Sequence, residues 1–236
     1  MIEIRALSKR YGRLDVLRGV DLSIARSRVT AIVGPNAAGK TTLIKSVLGL
    51  TRPTSGRVLF DGEPVNGDSA YRARIGYMPQ IARFPENLSG AELLAFLQEL
   101  RGARTTEREL IDRWQLSQEL DKPLRTLSGG TRQKVNAVMA FLFSPELLIL
   151  DEPTAGLDPL SSSILKDVIL AARGEGRTFI LASHIMSELE ELADDVVVLL
   201  DGTVRFAGLV HDLKLETRQL TMERAIAQVM LRREAA

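Results

Sequence analysis

The chain has 236 residues, enough for one large domain with a substantial core or for two small ones. With 45% apolar and 26% charged residues and a formal net charge of +1, it carries no bulk field to draw it to nucleic acid or anionic lipid. The absence of cysteine excludes disulfides and thiolate metal sites, and the longest apolar runs (137–143 and 196–200) fall far short of the ~20 residues that span a bilayer. The opening Met1-Ile2-Glu3-Ile4-Arg5, broken at once by an acid and a base, is not the pattern of a secretory signal.

Residues 1–33 alternate short strand-like runs with turns: Ile2-Glu3-Ile4, Val16-Leu17 and Val20-Asp21-Leu22-Ser23-Ile24. Tyr11 lies on the loop between the first two. An aromatic there serves equally well as a stacking face for a purine or as an amphipathic cap on a strand edge. The β-branched run Val29-Thr30-Ala31-Ile32-Val33 then feeds Gly34-Pro35-Asn36-Ala37-Ala38-Gly39-Lys40-Thr41, and a helix is expected over 42–50, starting at Thr42. The octet fits G-x-x-x-x-G-K-[ST] between a strand and a helix, a setting that aims backbone N–H groups and the helix dipole at one anion. Lys40 adds a mobile positive charge for the β- and γ-phosphates and Thr41 a hydroxyl for Mg²⁺, so the chain is expected to bind a nucleoside triphosphate. Many such loops carry Gly where Ala37 stands. If that position needs a positive φ, Ala costs about 1 kcal/mol.

A turn at Pro53-Thr54-Ser55-Gly56 precedes a strand at Arg57-Val58-Leu59-Phe60 and a hairpin signal at Asp61-Gly62. Ile75-Gly76-Tyr77-Met78 reads as a strand stopped by Pro79, and Gln80 follows on the loop. Its amide could reach Mg²⁺ or a water, although a loop Gln carries no role by itself. A mostly helical region comes next, with one helix capped by Ser89 and ended by Gly102, and a second over 106–116 that turns Leu110, Ile111 and Trp114 inward as core.

Ser128-Gly129-Gly130 opens a helix whose apolar face is Val135, Val138, Met139 and Leu142. Free amides and a hydroxyl at a helix start suit a second anion, and a Ser N-cap with a glycine hinge fits the same residues. Leu147-Leu148-Ile149-Leu150 is continuously apolar, as a buried parallel strand should be, and ends in Asp151-Glu152-Pro153. Asp151 at that strand end is placed to hold Mg²⁺ through water, and Glu152 to orient or deprotonate an attacking water. Asp158 lies on the next loop before a helix over 161–172. The strand Thr178-Phe179-Ile180-Leu181-Ala182-Ser183 ends at His184, which suits either a γ-phosphate contact or an ordinary surface position. A helix over 185–193, a strand over 196–200 and an Asp201-Gly202 hairpin follow. His211 reads as surface, and a polar, then amphipathic helix is expected from 215 nearly to the end.

In this order the stretches resemble the ATP-binding subunits of ABC transporters over about residues 1–210. The motifs are the Walker A loop at 34–41, Gln80 of the Q-loop, the Leu127-Ser128-Gly129-Gly130 signature, the Walker B acids Asp151 and Glu152, the D-loop Asp158 and the switch His184. The likeness implies an α/β P-loop NTPase of ABC type, with a mostly parallel core sheet, an antiparallel β subdomain and a helical subdomain at about 81–143. It implies an ATP-binding domain at 1–214 and a C-terminal helical extension at 215–236. ATP with Mg²⁺ would be held by Gly34, Asn36, Ala37, Ala38, Gly39, Lys40, Thr41 and Thr42. Tyr11 would stack on adenine, and Gln80 would join Thr41 and Asp151 at the metal. Glu152, His184 and Gln80 would be the catalytic set.

In that family two chains face each other head to tail, so Ser128, Gly129, Gly130 and Asp158 would serve the partner's ATP. A multispanning membrane subunit would hold the pair at the cytoplasmic face. Thr131 departs from the signature's commonest fifth residue, Gln. A narrower likeness, carried by 81–89, 127–138 and 183–192, is to the ATPase subunit encoded with nitrous oxide reductase and linked to maturation of its copper centre. It implies a periplasmic accessory protein, and any copper handling would belong to partners. The alternative is a soluble ABC-type ATPase in a non-transport role such as iron–sulfur assembly. Nucleic acid is not expected as a partner.

Overall fold

The computed structural model describes residues 1–65, 70–102 and 108–231, and its contacts divide into two units: Met1–Ala73 with Thr178–Ala236, and Arg74–Arg177. The first unit begins with β1 (Ile2–Tyr11) and β2 (Leu14–Ile24), an antiparallel pair turned at Gly12-Arg13. Ile2, Ile4 and Leu7 on one strand and Leu17, Val20, Leu22 and Ile24 on the other are buried between more exposed neighbours, the alternation of a sheet with one wet face, stepped by one residue between Ile4 and Leu7 and between Leu17 and Val20 where the register shifts. The two apolar runs expected on β2 are one strand. Gly19 between them donates its N–H to Ser8 Oγ at 2.9 Å, within an irregular stretch of the β1–β2 register. β3 (Val29–Val33) leads to α1 (Lys40–Val47). β4 (Ser55–Phe60) and β5 (Glu63–Pro64) then complete a four-stranded antiparallel sheet in the order β2-β1-β4-β5.

The second unit pairs β6 (Ile75–Met78) parallel with β7 (Leu147–Asp151). Between them run α2 (Gly90–Arg101), α3 (Arg108–Arg113), α4 (Ser117–Leu120) and α5 (Gly129–Phe141). Ser89 and Glu92 close a reciprocal capping box on α2, and Gly102 ends it in the left-handed conformation. The helix expected over 106–116 is shorter, and residues 106–107 lie outside the described residues. Trp114 is core, as expected, and donates its indole N–H to the Ser161 carbonyl at 3.3 Å. α6 (Pro159–Gly174) closes the unit, with Asp158 as its N-cap.

The chain re-enters the first unit through β8 (Thr178–Ala182), α7 (Met186–Leu192), β9 (Asp195–Leu200) and β10 (Thr203–Leu209). β3 lies between β8 and β9, parallel to both, and β10 returns antiparallel on β9. Every residue of β3, β7 and β8 is buried, which is why their sequences lack polar alternation.

The C-terminal stretch differs from the single helix expected from 215. α8 (Val210–Thr217) stops where Arg218 turns left-handed, and α9 (Met222–Leu231) begins afresh; residues 232–236 lie outside the described residues. α9 buries Met222, Ala225 and Ile226. Glu190 of α7 ties the segment down by pairing with Lys214 and accepting the Met222 N–H at 3.4 Å. Among the described residues no helix is long and apolar enough to cross a membrane.

Candidate nucleotide site

In the first unit β3 ends at Val33, and the loop of Gly34 to Gly39 carries the chain into α1 at Lys40. Two glycines make this path available. A Cβ on Gly34 would stand 2.1 Å from the Leu199 carbonyl oxygen, and Gly39 sits at φ 105° with a Cβ site 2.9 Å from the Val16 carbonyl oxygen. The β9–β10 turn braces the loop from behind, the Gly202 N–H donating to the Ala38 carbonyl at 3.1 Å and the Arg18 N–H to the Gly202 carbonyl at 2.8 Å. Ala37 does sit at φ 63°, so the cost attached to Ala at this position applies.

The N-cap of α1 is Gly39, with no side-chain cap hydrogen bond, so no side chain competes with an anion at this helix start. Lys40 Nζ donates to the carbonyls of Gly34 at 2.6 Å and Pro35 at 3.1 Å, so its ammonium lies over the loop. Asn36 and Thr41 are exposed, and Thr42 is half-buried.

β3 and β8 pair in register with Ile32 opposite Ala182. His184 therefore leaves the same carboxyl edge as Gly34, each two residues beyond that pair. His184 is exposed, and Ser183 Oγ accepts the Ile185 N–H beside it at 3.1 Å. Tyr11, expected on a loop, is instead the last residue of β1, paired with Leu14 and 47% exposed. Its ring lies 4.7 Å from Lys9 Nζ, which donates to the Arg52 carbonyl at 2.8 Å. One ring face is thus met by a cation held by the backbone.

In the second unit β6 and β7 pair with Met78 opposite Leu150, so Pro79-Gln80 and Asp151-Glu152 leave one carboxyl edge together. Gln80 is exposed, whereas Asp151 and Glu152 are buried, 8% and 7% exposed. The charge of Asp151 is felt locally: the Tyr77 phenol is pushed up, first by burial and then by Asp151. Glu152 holds φ 52°, a conformation that costs a residue with a side chain of order 1 kcal/mol or more.

α5 fixes these strand ends. Gln133 Nε2 donates to the carbonyls of Glu152 at 3.1 Å and Pro153 at 3.2 Å, and Asn136 Nδ2 donates to the Pro79 carbonyl at 2.9 Å. Sequence reasoning missed both residues. The available signal was two amides interleaved with the helix's apolar positions. Met139, read as part of the apolar face, is only half-buried.

Ser128 is the N-cap of the same helix. Its Oγ accepts the Thr131 N–H at 3.1 Å and lies 2.9 Å from Thr131 Oγ1. Asp158 caps α6 through the Ser161 N–H at 2.9 Å and the Ser161 hydroxyl at 2.5 Å, with Lys134 Nζ at 3.5 Å. These hydrogen bonds, the hydroxyl's above all, pull its carboxyl down to about 2.

A family model described as ABC transporter matches residues 17–155. The daunorubicin resistance ATP-binding protein of Streptomyces coeruleorubidus is 37% identical over 222 residues, covering 92% of this chain and 70% of that protein. The lantibiotic transport ATP-binding protein of Streptococcus pyogenes is 33% identical over 205 residues, covering 86% of this chain and 89% of that one. A solved ATP-binding subunit of an ABC transporter superposes with a TM-score of 0.90 at 30% identity, over 98% of this chain and 99% of its own.

Proposed function

The chain belongs to the ABC transporter ATP-binding family and is an ATPase of that family, and from that premise we propose that it drives a membrane transporter as a pair of chains that ATP closes and hydrolysis opens. The observation that carries this reading is the presence of two separate helix starts suited to an anion, at Lys40 and at Ser128, in a chain with a single phosphate loop. A triphosphate held by the phosphate loop of one chain and met by Ser128, Gly129 and Gly130 of its partner uses both. The closed and open states then differ by the contacts a γ-phosphate makes, which is what shifts a two-state population.

In this reading the amides of the loop and Lys40 hold phosphates, Tyr11 stacks on adenine, and His184 and Gln80 respond to the γ-phosphate. Glu152 orients the attacking water and takes its proton. Its left-handed backbone is pinned by the Gln133 amide before substrate arrives, which restricts where the carboxylate can go. Mg²⁺ fits the donors assigned to it, since the Thr41 hydroxyl, the Asp151 carboxylate and the Gln80 amide oxygen are all hard ligands. When bound, the ion neutralises charge on the phosphate oxygens.

The direct test is Glu152→Gln. It should bind ATP normally, turn over at least about 100-fold more slowly, and accumulate as an ATP-loaded dimer on size exclusion. Hydrolysis at the normal rate removes the role given to Glu152.

A multispanning membrane subunit is the expected partner and sets the cargo; co-purification from the membrane fraction tests it. The narrower reading places the transporter in maturation of the copper centre of nitrous oxide reductase, with a periplasmic accessory protein. It is supported by the likeness of residues 81–89, 127–138 and 183–192 to the ATPase subunit of that system. Deleting the gene should then leave nitrous oxide reductase short of copper, and a full copper complement in the deletion strain removes this reading alone.

A further inference from the structure

We propose that Thr131 is a positioning residue that sets the direction of the Ser128 hydroxyl proton, so that Ser128 meets a terminal phosphate as a donor. The inference rests on the reading of the α5 start as a triphosphate contact. A serine hydroxyl has one proton and two lone pairs. One lone pair of Ser128 Oγ is filled by the Thr131 N–H at 3.1 Å, and its other neighbour is Thr131 Oγ1 at 2.9 Å. One proton must sit between the two oxygens, and its owner decides what Ser128 offers outward.

If Ser128 donates to Thr131, its only proton is spent and it faces an incoming anion with a lone pair. If Thr131 donates, both lone pairs of Ser128 are filled and its proton is left to give away. A fully ionised phosphate oxygen only accepts hydrogen bonds, so its approach selects the second arrangement. A donor behind Ser128 also polarises its hydroxyl and strengthens the bond it gives.

The surroundings support this use. A Cβ at Gly129 would meet nothing within 4 Å, so the helix start next to Ser128 is open. Thr131 is β-branched, which restricts χ1 to few rotamers, and the one adopted brings Oγ1 to the cap. Its backbone N–H serves the cap whatever its side chain is. The hydroxyl of Thr131 can therefore be removed without removing the cap.

The test compares the full chain with Thr131→Val, Thr131→Ser, Ser128→Ala and the Ser128→Ala, Thr131→Val double variant. ATP turnover is measured against ATP concentration, ATP-driven dimerisation is measured with each change added to Glu152→Gln, and binding of a fluorescent ADP analogue is the control. Thr131→Val should lower kcat/KM by about three- to tenfold and weaken ATP-driven dimerisation by a similar factor. It should leave ADP binding unchanged, because ADP is bound by the phosphate loop and not by the start of α5. Thr131→Ser should recover to within about twofold of the parent.

In the Ser128→Ala background, Thr131→Val should add nothing, because Thr131 acts through Ser128. A Thr131→Val variant that matches the parent while Ser128→Ala is impaired overturns this inference and leaves the paired-chain reading standing. So do independent, multiplying losses in the double variant. A Ser128→Ala chain with unimpaired dimerisation and turnover overturns the paired-chain reading, and this inference with it.

Discussion

Two non-glycine residues with positive φ flank the chemistry, and they make opposite predictions. Ala37, at φ 63°, is half of a turn that any Gly would enter freely. Ala37→Gly should therefore stabilise the chain by at most about 0.6 kcal/mol, the ~1 kcal/mol strain on Ala being partly offset by the extra entropy that Gly gives the unfolded state. Denaturant titration reads this directly, and a loss of stability would contradict it. Glu152, at φ 52°, is held by Gln133, whose amide reaches two carbonyls of that turn.

Gln133→Leu removes both donors from a buried site and should cost about 1–3 kcal/mol of stability. It should also slow turnover while leaving ADP binding intact, because the phosphate loop is built from other residues. Unchanged turnover in Gln133→Leu would show that the amide serves packing alone.

Asp158 gives an acid-range prediction with a definite sign. Its carboxyl, ordinarily near 3.8, is drawn down to about 2 in the fold by the Ser161 hydroxyl and amide. The folded state thus binds this proton less readily than the unfolded chain. The stabilisation is complete above about pH 4 and is lost as pH falls toward about 2. Asn also caps helices well. Asp158→Asn should therefore lose stability relative to the parent at pH 5, with the difference shrinking by pH 2.5. A difference that is constant with pH would mean the carboxylate charge is not what Ser161 stabilises.

At the scale of elements, what could be read from the sequence tracks how strongly local chemistry fixes conformation. The continuously apolar runs of β3, β7 and β8 are legible because a strand buried on both faces tolerates no alternation. Ser89 with Glu92 and Gly102 marks both ends of α2 by capping chemistry. The break between α8 and α9 is not legible, because it turns on Arg218 adopting φ 56°, a conformation with no signature in an arginine. Gln133 and Asn136 were missed for a related reason. Periodicity assigns apolar residues to the buried face of α5 and has no way to place an amide whose partner is a distant carbonyl.

The site residues were read by motif. α1 begins at Lys40, two residues before the start expected at Thr42, and β7 ends at Asp151, one residue beyond the expected apolar run, so Lys40, Thr41, Asp151 and Glu152 sit at or next to the element ends. The role of Thr131 became visible only through its 2.9 Å contact with Ser128.

For the whole molecule, the two units each carry part of the equipment. One holds the phosphate loop and His184 at the carboxyl ends of β3 and β8; the other holds Gln80, Asp151 and Glu152 at the carboxyl ends of β6 and β7 and Ser128 at the start of α5. Family membership makes the chain an ATP-binding subunit of an ABC transporter, and the proposed cycle requires a second copy to supply Ser128. Sedimentation velocity of the Glu152→Gln chain, run with ADP and then with ATP and Mg²⁺, tests that requirement most directly. The expected result is single chains with ADP, pairs with ATP, and a return to single chains when Ser128→Ala is added. Single chains throughout, alongside parent turnover that stays first order in protein, would contradict it.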